Sequence, residues 1–375
     1  MTKSVFSVVT SSNFLREMIA NYTDQARKNK IVAYWLLIGV FMIIIQTLLG
    51  GITRLSGSGL SITEWNLVTG TLPPLNDKAW LEEFGKYQQS PQFKYLNQDF
   101  GLSDFKFIFF WEWFHRLWAR ILGFVFAIPF IYFLIKRYFT KDMVLPIFGM
   151  FALGALQGAI GWIMVASGLV GDAIYVRPTK LALHFIFAMI LACYVLWFAL
   201  KLLVPNTQKV VNPVLRKWSV VMLLLLFIQL TYGALMAGHK AATVAATWPT
   251  INGMWVPDGM SHSASGHYLL ENKITIHFIH RGMAYLLFAF ILIYTVKAAK
   301  VKPSKTFNKH KWMPLILGTV QVLLGIFTVL SSTGIQPNKW RMFETIAELH
   351  QLFAMFLMLS LVVQVYLVQA RSSVR

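Results

Sequence analysis

The stretch Phe105-Lys106-Phe107-Ile108-Phe109-Phe110-Trp111-Glu112-Trp113-Phe114-His115-Arg116 opens an apolar run that continues to Phe133. It sets a carboxyl, an imidazole and a guanidinium inside a segment long enough to cross a bilayer, which takes about 20 mostly apolar residues. Ionisable groups at membrane depth are costly, face the protein interior and mark functional sites. The His-Arg pair returns at His280-Arg281, again near the start of an apolar run.

The whole chain shares this character. Of its 375 residues, 57% are hydrophobic and 13% charged, too apolar a balance for a soluble globular chain. The fold expected is an all-α integral membrane protein. The net charge of +19 raises nucleic acid as a partner. A membrane protein gathers Lys and Arg in its cytoplasmic loops, and that accounts for the charge, so no nucleic acid is expected. The one cysteine, Cys193, excludes an intramolecular disulfide and reads as a small buried residue.

Eight stretches qualify as spans: 31–50, 107–135, 143–166, 181–204, 218–238, 274–299, 312–332 and 345–370. Residues 1–30 lack the apolar core of a cleavable signal peptide and read as a cytoplasmic tail. Basic residues cluster in that tail, at Lys136, Arg137 and Lys141, at Lys201 to Lys217, at Lys297 to Lys311, and at Arg371 and Arg375. That side is therefore cytoplasmic, with both termini inside. The opposite side carries two long loops, 51–105 and 239–272. Long loops of this kind hold function more often than they merely connect. Within span two, Pro129 is a candidate kink.

The chain also repeats itself. Gln-x-x-x-Gly occurs at Gln46/Gly50, Gln157/Gly161, Gln229/Gly233 and Gln321/Gly325, late in each odd-numbered span. A histidine stands early in each even-numbered span: His115, His184, His280 and His350. His115 to His280 is 165 residues, His184 to His350 is 166, and Gln157 to Gln321 is 164. The pattern predicts two tandem four-helix bundles related by a pseudo-twofold axis along the membrane normal. The first covers 31–204 with loop 51–105, and the second covers 217–370 with loop 239–272. The linker is 205–216, and 371–375 form a short cytoplasmic tail.

Even-numbered spans run from outside to inside, so all four histidines lie near the outer leaflet. Two imidazoles on facing helices of one bundle suit the two axial positions of a haem iron. The expectation is one haem site per half: His115 with His184, and His280 with His350. Structural hydrogen bonding, a proton relay and a non-haem metal cluster are the alternatives. Only His277 and His280 have the close helical spacing such a cluster favours. Glu112 lies one turn before His115, and its register position in the second half is His277. A carboxylate beside an axial ligand is a candidate for taking a proton or holding a water. The bland reading is an ion pair with Arg116 or Arg120. Arg116, Arg120 and Arg281 are candidates for bidentate contact with haem propionates, or for pairing and snorkelling. His239, His262, His267 and His310 read as solvated loop residues. Gly57-Ser58-Gly59 does not form a dinucleotide fingerprint.

At these residues the chain resembles the haem A synthase family, membrane enzymes that convert haem O to haem A for cytochrome oxidases. The resemblance covers most of the chain. It is carried by Gly50-Gly51-Ile52-Thr53-Arg54-Leu55, Ser58-Gly59-Leu60-Ser61, Glu64-Trp65, Pro73-Pro74 and Tyr87-Gln88-Gln89-Ser90-Pro91. It continues in Phe105-Lys106, Glu112-x-x-His115-Arg116, Gln157-Gly158-x-x-Gly161-Trp162, His280-Arg281 and Glu348-Leu349-His350-Gln351. The chain departs from the family pattern in four places. It lacks an outer-loop cysteine pair, and Ala119 stands where Gly is common. Ala237-Gly238-His239-Lys240-Ala241-Ala242 with Thr247-Trp248-Pro249 replaces an Asn-Thr-Phe-Pro loop, and His277 is an extra histidine beside His280.

The resemblance implies that His115 and His184 hold the substrate, haem O, with Glu112 as the key acid. It implies that His280 and His350 hold a haem b cofactor, and that a haem methyl is oxidised to a formyl. The partners implied are the haem O synthase that supplies the substrate, the cytochrome oxidase assembly machinery and membrane lipid, with homo-oligomers also compatible. The location implied is the bacterial cytoplasmic membrane, ahead of the mitochondrial inner membrane. From another class, the alternative is a di-haem transmembrane electron carrier without haem-modifying activity.

Overall fold

The computed structural model describes residues 2–64, 69–260, 266–301, 304–336 and 339–370, without the side chains of residues 2–17, 19 and 21. His262 and the tail 371–375 therefore lie outside the described residues. The described chain is helical, with eight segments long and apolar enough to cross a membrane. In chain order the helices are α1 (Thr2–Leu55), α2 (Asp77–Gln88), α3 (Pro91–Leu96), α4 (Leu102–Ile135), α5 (Lys141–Ala166) and α6 (Pro178–Leu203). Then follow α7 (Pro213–Gly238), α8 (Tyr268–Glu271), α9 (Lys273–Ala299), α10 (Lys305–His310), α11 (Met313–Ser331) and α12 (Met342–Leu367). The eight spans are those expected from the sequence, and α1, α4 and α7 start earlier than an apolar window places them, at polar turns it misses.

From Thr2 onward the N-terminal segment is helical, and α1 enters the first span without a break. Asp24 pairs with Arg27 and Lys28 at one-turn spacing, and Gln25 reaches Asn29 and the Tyr138 carbonyl. Such pairs favour helix over a free tail, each by a few tenths of a kcal/mol. Helix starts follow local chemistry. Pro178 and Pro213 occupy the first turn of α6 and α7, where the missing N–H costs nothing. Asn212 and Asn272 cap α7 and α9 by accepting from Leu215 N and Thr275 N. The α4 helix runs through Pro129 to Ile135.

Among the first four spans, α1 packs on α4 and α6, and α5 on α6. Among the last four, α7 and α11 pack on α9, and α11 on α12. The seam is built by α6 against α7 and by α12 against α1 and α6. One apolar core crosses it, from Trp35 and Leu36 through Met189 and Val195 to Met222, Leu226, Met358 and Leu361. Indole N–H groups find backbone carbonyls on neighbouring helices: the buried Trp35 donates to Val125 O and the half-buried Trp118 to Met42 O, both at 3.0 Å. At the end opposite the long loops, the linker strand β1 (Val210–Val211) pairs in parallel with β2 (Val368–Gln369).

The first long loop is a folded cap. α2 and α3 lie over the start of α4, where Tyr87, Phe105, Ile108 and Phe109 form a second core with Trp80, Phe84 and Phe93. The buried Tyr87 hydroxyl donates to Gln92 Oε1 at 3.1 Å and accepts from Asn97 Nδ2 at 2.7 Å, and Gln92 continues to Gly57 O.

Candidate haem sites

The four histidines occupy four copies of one helix hairpin. Each odd-numbered span presents Gln-x-x-x-Gly to the histidine of the next span. The amide nitrogen of Gln46 lies 3.2 Å from an imidazole nitrogen of His115, and that of Gln157 lies 3.1 Å from His184. For Gln229 and His280 the distance is 3.1 Å, and for Gln321 and His350 it is 3.3 Å. The glycine one turn later leaves room for the ring. A Cβ at Gly50, Gly161, Gly233 or Gly325 would stand 3.2, 2.8, 3.2 or 3.0 Å from the Cε1 of the paired histidine. Any side chain there would push the imidazole away. The sequence repeat therefore records a contact, one amide and one flat cradle for each imidazole. In the sequence the glutamines only mark the repeat, because nothing in one helix shows what faces it.

The second pair is brought together directly. The His280 and His350 rings have centroids 6.4 Å apart at 77°. Two imidazoles that shared one metal, each bonded at about 2 Å, would have ring centroids about 6 Å apart, and the observed separation has that size. His350 Nδ1 is buried with no hydrogen-bond partner among the described residues, as a nitrogen kept for a metal would be. His115 and His184 sit in the matching cradles of the first half. The cradles, the facing rings of the second half and the neutral-donor chemistry fit haem iron, which His115 with His184 and His280 with His350 would hold. His277 is fully buried beside His280, with both ring nitrogens unpartnered among the described residues, and does not face a glutamine cradle. Among the loop histidines, His239 is tied to Leu270 O at 2.8 Å and His310 to Thr306 O at 2.9 Å.

Glu112 is 2% exposed, and both of its oxygens are engaged. Its Oε2 accepts from Ser61 Oγ at 2.7 Å and Ile62 N at 2.9 Å, and its Oε1 pairs with Arg116 at 2.6 Å. Arg116 also donates to the carbonyls of Ile62 and Glu64. Arg281 does the matching work in the second half, donating to the carbonyls of Ala245, Thr247 and Thr250. Both arginines thus clamp the long loop of their own half onto the helix that carries the histidine. A cavity of about 220 Å³ opens beside Arg116, lined by Ile62, Glu64, Trp162, Val165 and Leu169 among others.

A second set of buried charges lies at the seam, and sequence reasoning does not single it out. Glu348, two residues before His350, is 6% exposed, and neither carboxylate oxygen has a hydrogen-bond partner among the described residues. It abuts Gly51, where a Cβ would collide with the carboxylate. Arg54 lies one turn further along α1, within electrostatic reach of Glu348 and Glu344, and donates to Ala237 O. Gly51, Arg54 and Glu348 stand in the motifs quoted above. What hides their role is that their partners come from opposite halves.

The sequence matches the family described as cytochrome oxidase assembly protein, COX15-CtaA, over residues 33–362. It is 40% identical over 311 residues to the Heme A synthase of Flavobacterium psychrophilum, covering 82% of this chain and 91% of that protein. It is 38% identical over 339 residues to the Heme A synthase of Flavobacterium johnsoniae, covering 88% and 96%. With that of Novosphingobium aromaticivorans it shares 40% identity over 350 residues, covering 91% and 95%. With four half-buried imidazoles seated in repeated cradles across eight spans and a match over most of its length, the chain belongs to the cytochrome oxidase assembly protein family of the COX15-CtaA type.

Proposed function

We propose that the protein is a haem A synthase, an oxidoreductase that converts a methyl group of haem O to a formyl group. The observation that carries this is the facing pair of His280 and His350, with His115 and His184 in matching cradles, in a chain about 40% identical to proteins of that name. His115 and His184 would hold haem O as substrate, and His280 and His350 would hold a haem b cofactor. A bound haem b supplies one-electron redox chemistry next to the substrate. The two bundles, 31–204 and 217–370, repeat one another about an axis along the membrane normal in this reading, supported by the fourfold Gln, Gly and His recurrence.

Glu112 is the proposed acid–base group. Its carboxylate is fixed by Ser61, Ile62 and Arg116, so it accepts or returns a proton only as one of those donors lets go. That ties its chemistry to loop residues 61–64. Arg116, Arg120 and Arg281 are the proposed propionate partners. Arg116 and Arg281 would exchange neutral loop carbonyls for charged carboxylates, a stronger bidentate contact. The bacterial relatives and the basic faces of the loops support placement in the cytoplasmic membrane with both termini inside and the haem sites near the outer face. The haem O synthase is the proposed supplier of substrate, and cytochrome oxidase assembly the destination of product.

The test is to purify the protein from cells that make haem O and to extract its pigments. Haem A together with haem b is the expected result. Two b-type haems and no haem A would instead establish the di-haem electron carrier, and a preparation without haem absorbance would overturn both.

A further inference from the structure

We propose that Gln229 and Gln321 are positioning residues that set the electronic character of the second haem site, by accepting a hydrogen bond from the imidazole nitrogen turned away from the iron. The inference rests on His280 and His350 being the ligands of that site. A metal-bound imidazole uses one nitrogen as ligand and carries N–H on the other. That N–H needs an acceptor, which fixes the ring and makes it a more basic ligand. In an apolar bundle a buried N–H left unmade destabilises the ligated state.

All four cradle glutamines show the same imbalance. Their amide nitrogens face the imidazoles, while the oxygens of Gln46, Gln157, Gln229 and Gln321 are buried without a partner among the described residues. The two ends of an amide have nearly the same shape, and turning one over exchanges donor for acceptor. The halves differ in whether this turn is open. Gln46 and Gln157 also donate to the backbone carbonyls of His115 and His184, at 3.2 and 2.9 Å. Turning those amides would set oxygen against oxygen. Among the described residues no such carbonyl bond holds Gln229 or Gln321, whose polar contacts are to the imidazoles. Their amides are free to present oxygen to His280 and His350. The second site therefore has two ligands made more basic by an acceptor, a lower midpoint potential and a stabilised ferric state. The first site keeps two ligands without that help. The duplicated hairpin thus differentiates two sites with identical ligands, independently of Glu112.

The experiment is a redox titration of the b-type haem in the purified full-length protein. Gln229→Glu supplies a stronger acceptor and is expected to lower the midpoint, while Gln229→Leu removes the acceptor and is expected to raise it. Gln157→Leu, in the other half, should leave that midpoint in place. If the Leu variant loses haem, Gln229→Met provides the acceptor-free arm. A structural disturbance would move both exchanges in one direction. Shifts of the same sign, or no shift in Gln229→Glu, overturn the proposal. Absence of any bis-imidazole haem spectrum in the unaltered protein overturns the ligand reading instead.

Discussion

Charged groups that a bilayer disfavours announce themselves in a sequence, and at the residue scale that is why His115, His184, His280, His350 and Glu112 are legible from the order of residues alone. Their partners are not. The glutamine opposite each imidazole, and the Ser61 hydroxyl and Ile62 N–H on Glu112, come from other segments of the chain. Two predictions belong here. Glu112→Gln keeps an acceptor for Ser61 and Ile62 but loses the ion pair and the exchangeable carboxylate. Haem content should persist while haem A formation falls about 100-fold or more. Glu112→Ala adds a loss of stability of about 3 kcal/mol, because it leaves the Arg116 guanidinium without its counter-charge. Normal haem A yield from the Gln variant would remove Glu112 from the chemistry. The second prediction ranks the cradles. Alanine at Gly161 or Gly325, where a Cβ would be 2.8 or 3.0 Å from the imidazole, should cost more bound haem than alanine at Gly50 or Gly233, where it would be 3.2 Å. Pigment extraction per mole of protein checks the order, and an inverted order would mean the rings move aside freely.

Element boundaries show what an apolar window sees and what it misses. Length and hydropathy locate the spans, yet α1 reaches back to Thr2 and α10 precedes α11 as a polar helix. Ion pairs, caps and amphipathic turns stabilise helix without adding hydrophobicity. The loop 51–105 is visibly too long for a spacer. Its fold is hidden in the sequence, because α2 and α3 are stable only against the aromatic start of α4. Tyr87 offers a probe of this cap. Burial pushes its phenol up from 10.0 to about 12, so the folded cap holds the proton more tightly than the open loop does. The contribution to stability is complete below pH 10 and is lost as pH rises through about 12. Limited proteolysis of the loop should therefore accelerate above about pH 10 in the unaltered protein. In Tyr87→Phe that alkaline acceleration should vanish, and its persistence would place the titrating group elsewhere.

For the molecule as a whole, eight spans and a repeat near 165 residues are readable, since both are properties of one dimension. The seam is not, because α12 meets α1 and α6 through residues far apart in the chain. Gly238 tests it: an added Cβ would lie 2.8 Å from the Pro178 backbone of α6. Gly238→Ala should lower the thermal midpoint in detergent, at about 1–3 kcal/mol. Gly154→Ala, where a Cβ meets nothing within 4 Å, should be neutral or stabilising. Equal behaviour of the two variants would show that the halves separate without cost. The glutamine–histidine hairpins carry one more consequence, for the order of assembly. Their partners are 69, 27, 51 and 29 residues apart along the chain. The short pairs, Gln157 with His184 and Gln321 with His350, close as soon as two neighbouring helices have been inserted. The long pairs wait for an extramembrane excursion to fold first, and closing a longer loop is slower. Each site is thus completed from one early imidazole and one late one, so a nascent chain does not present a finished pair until its cap is in place.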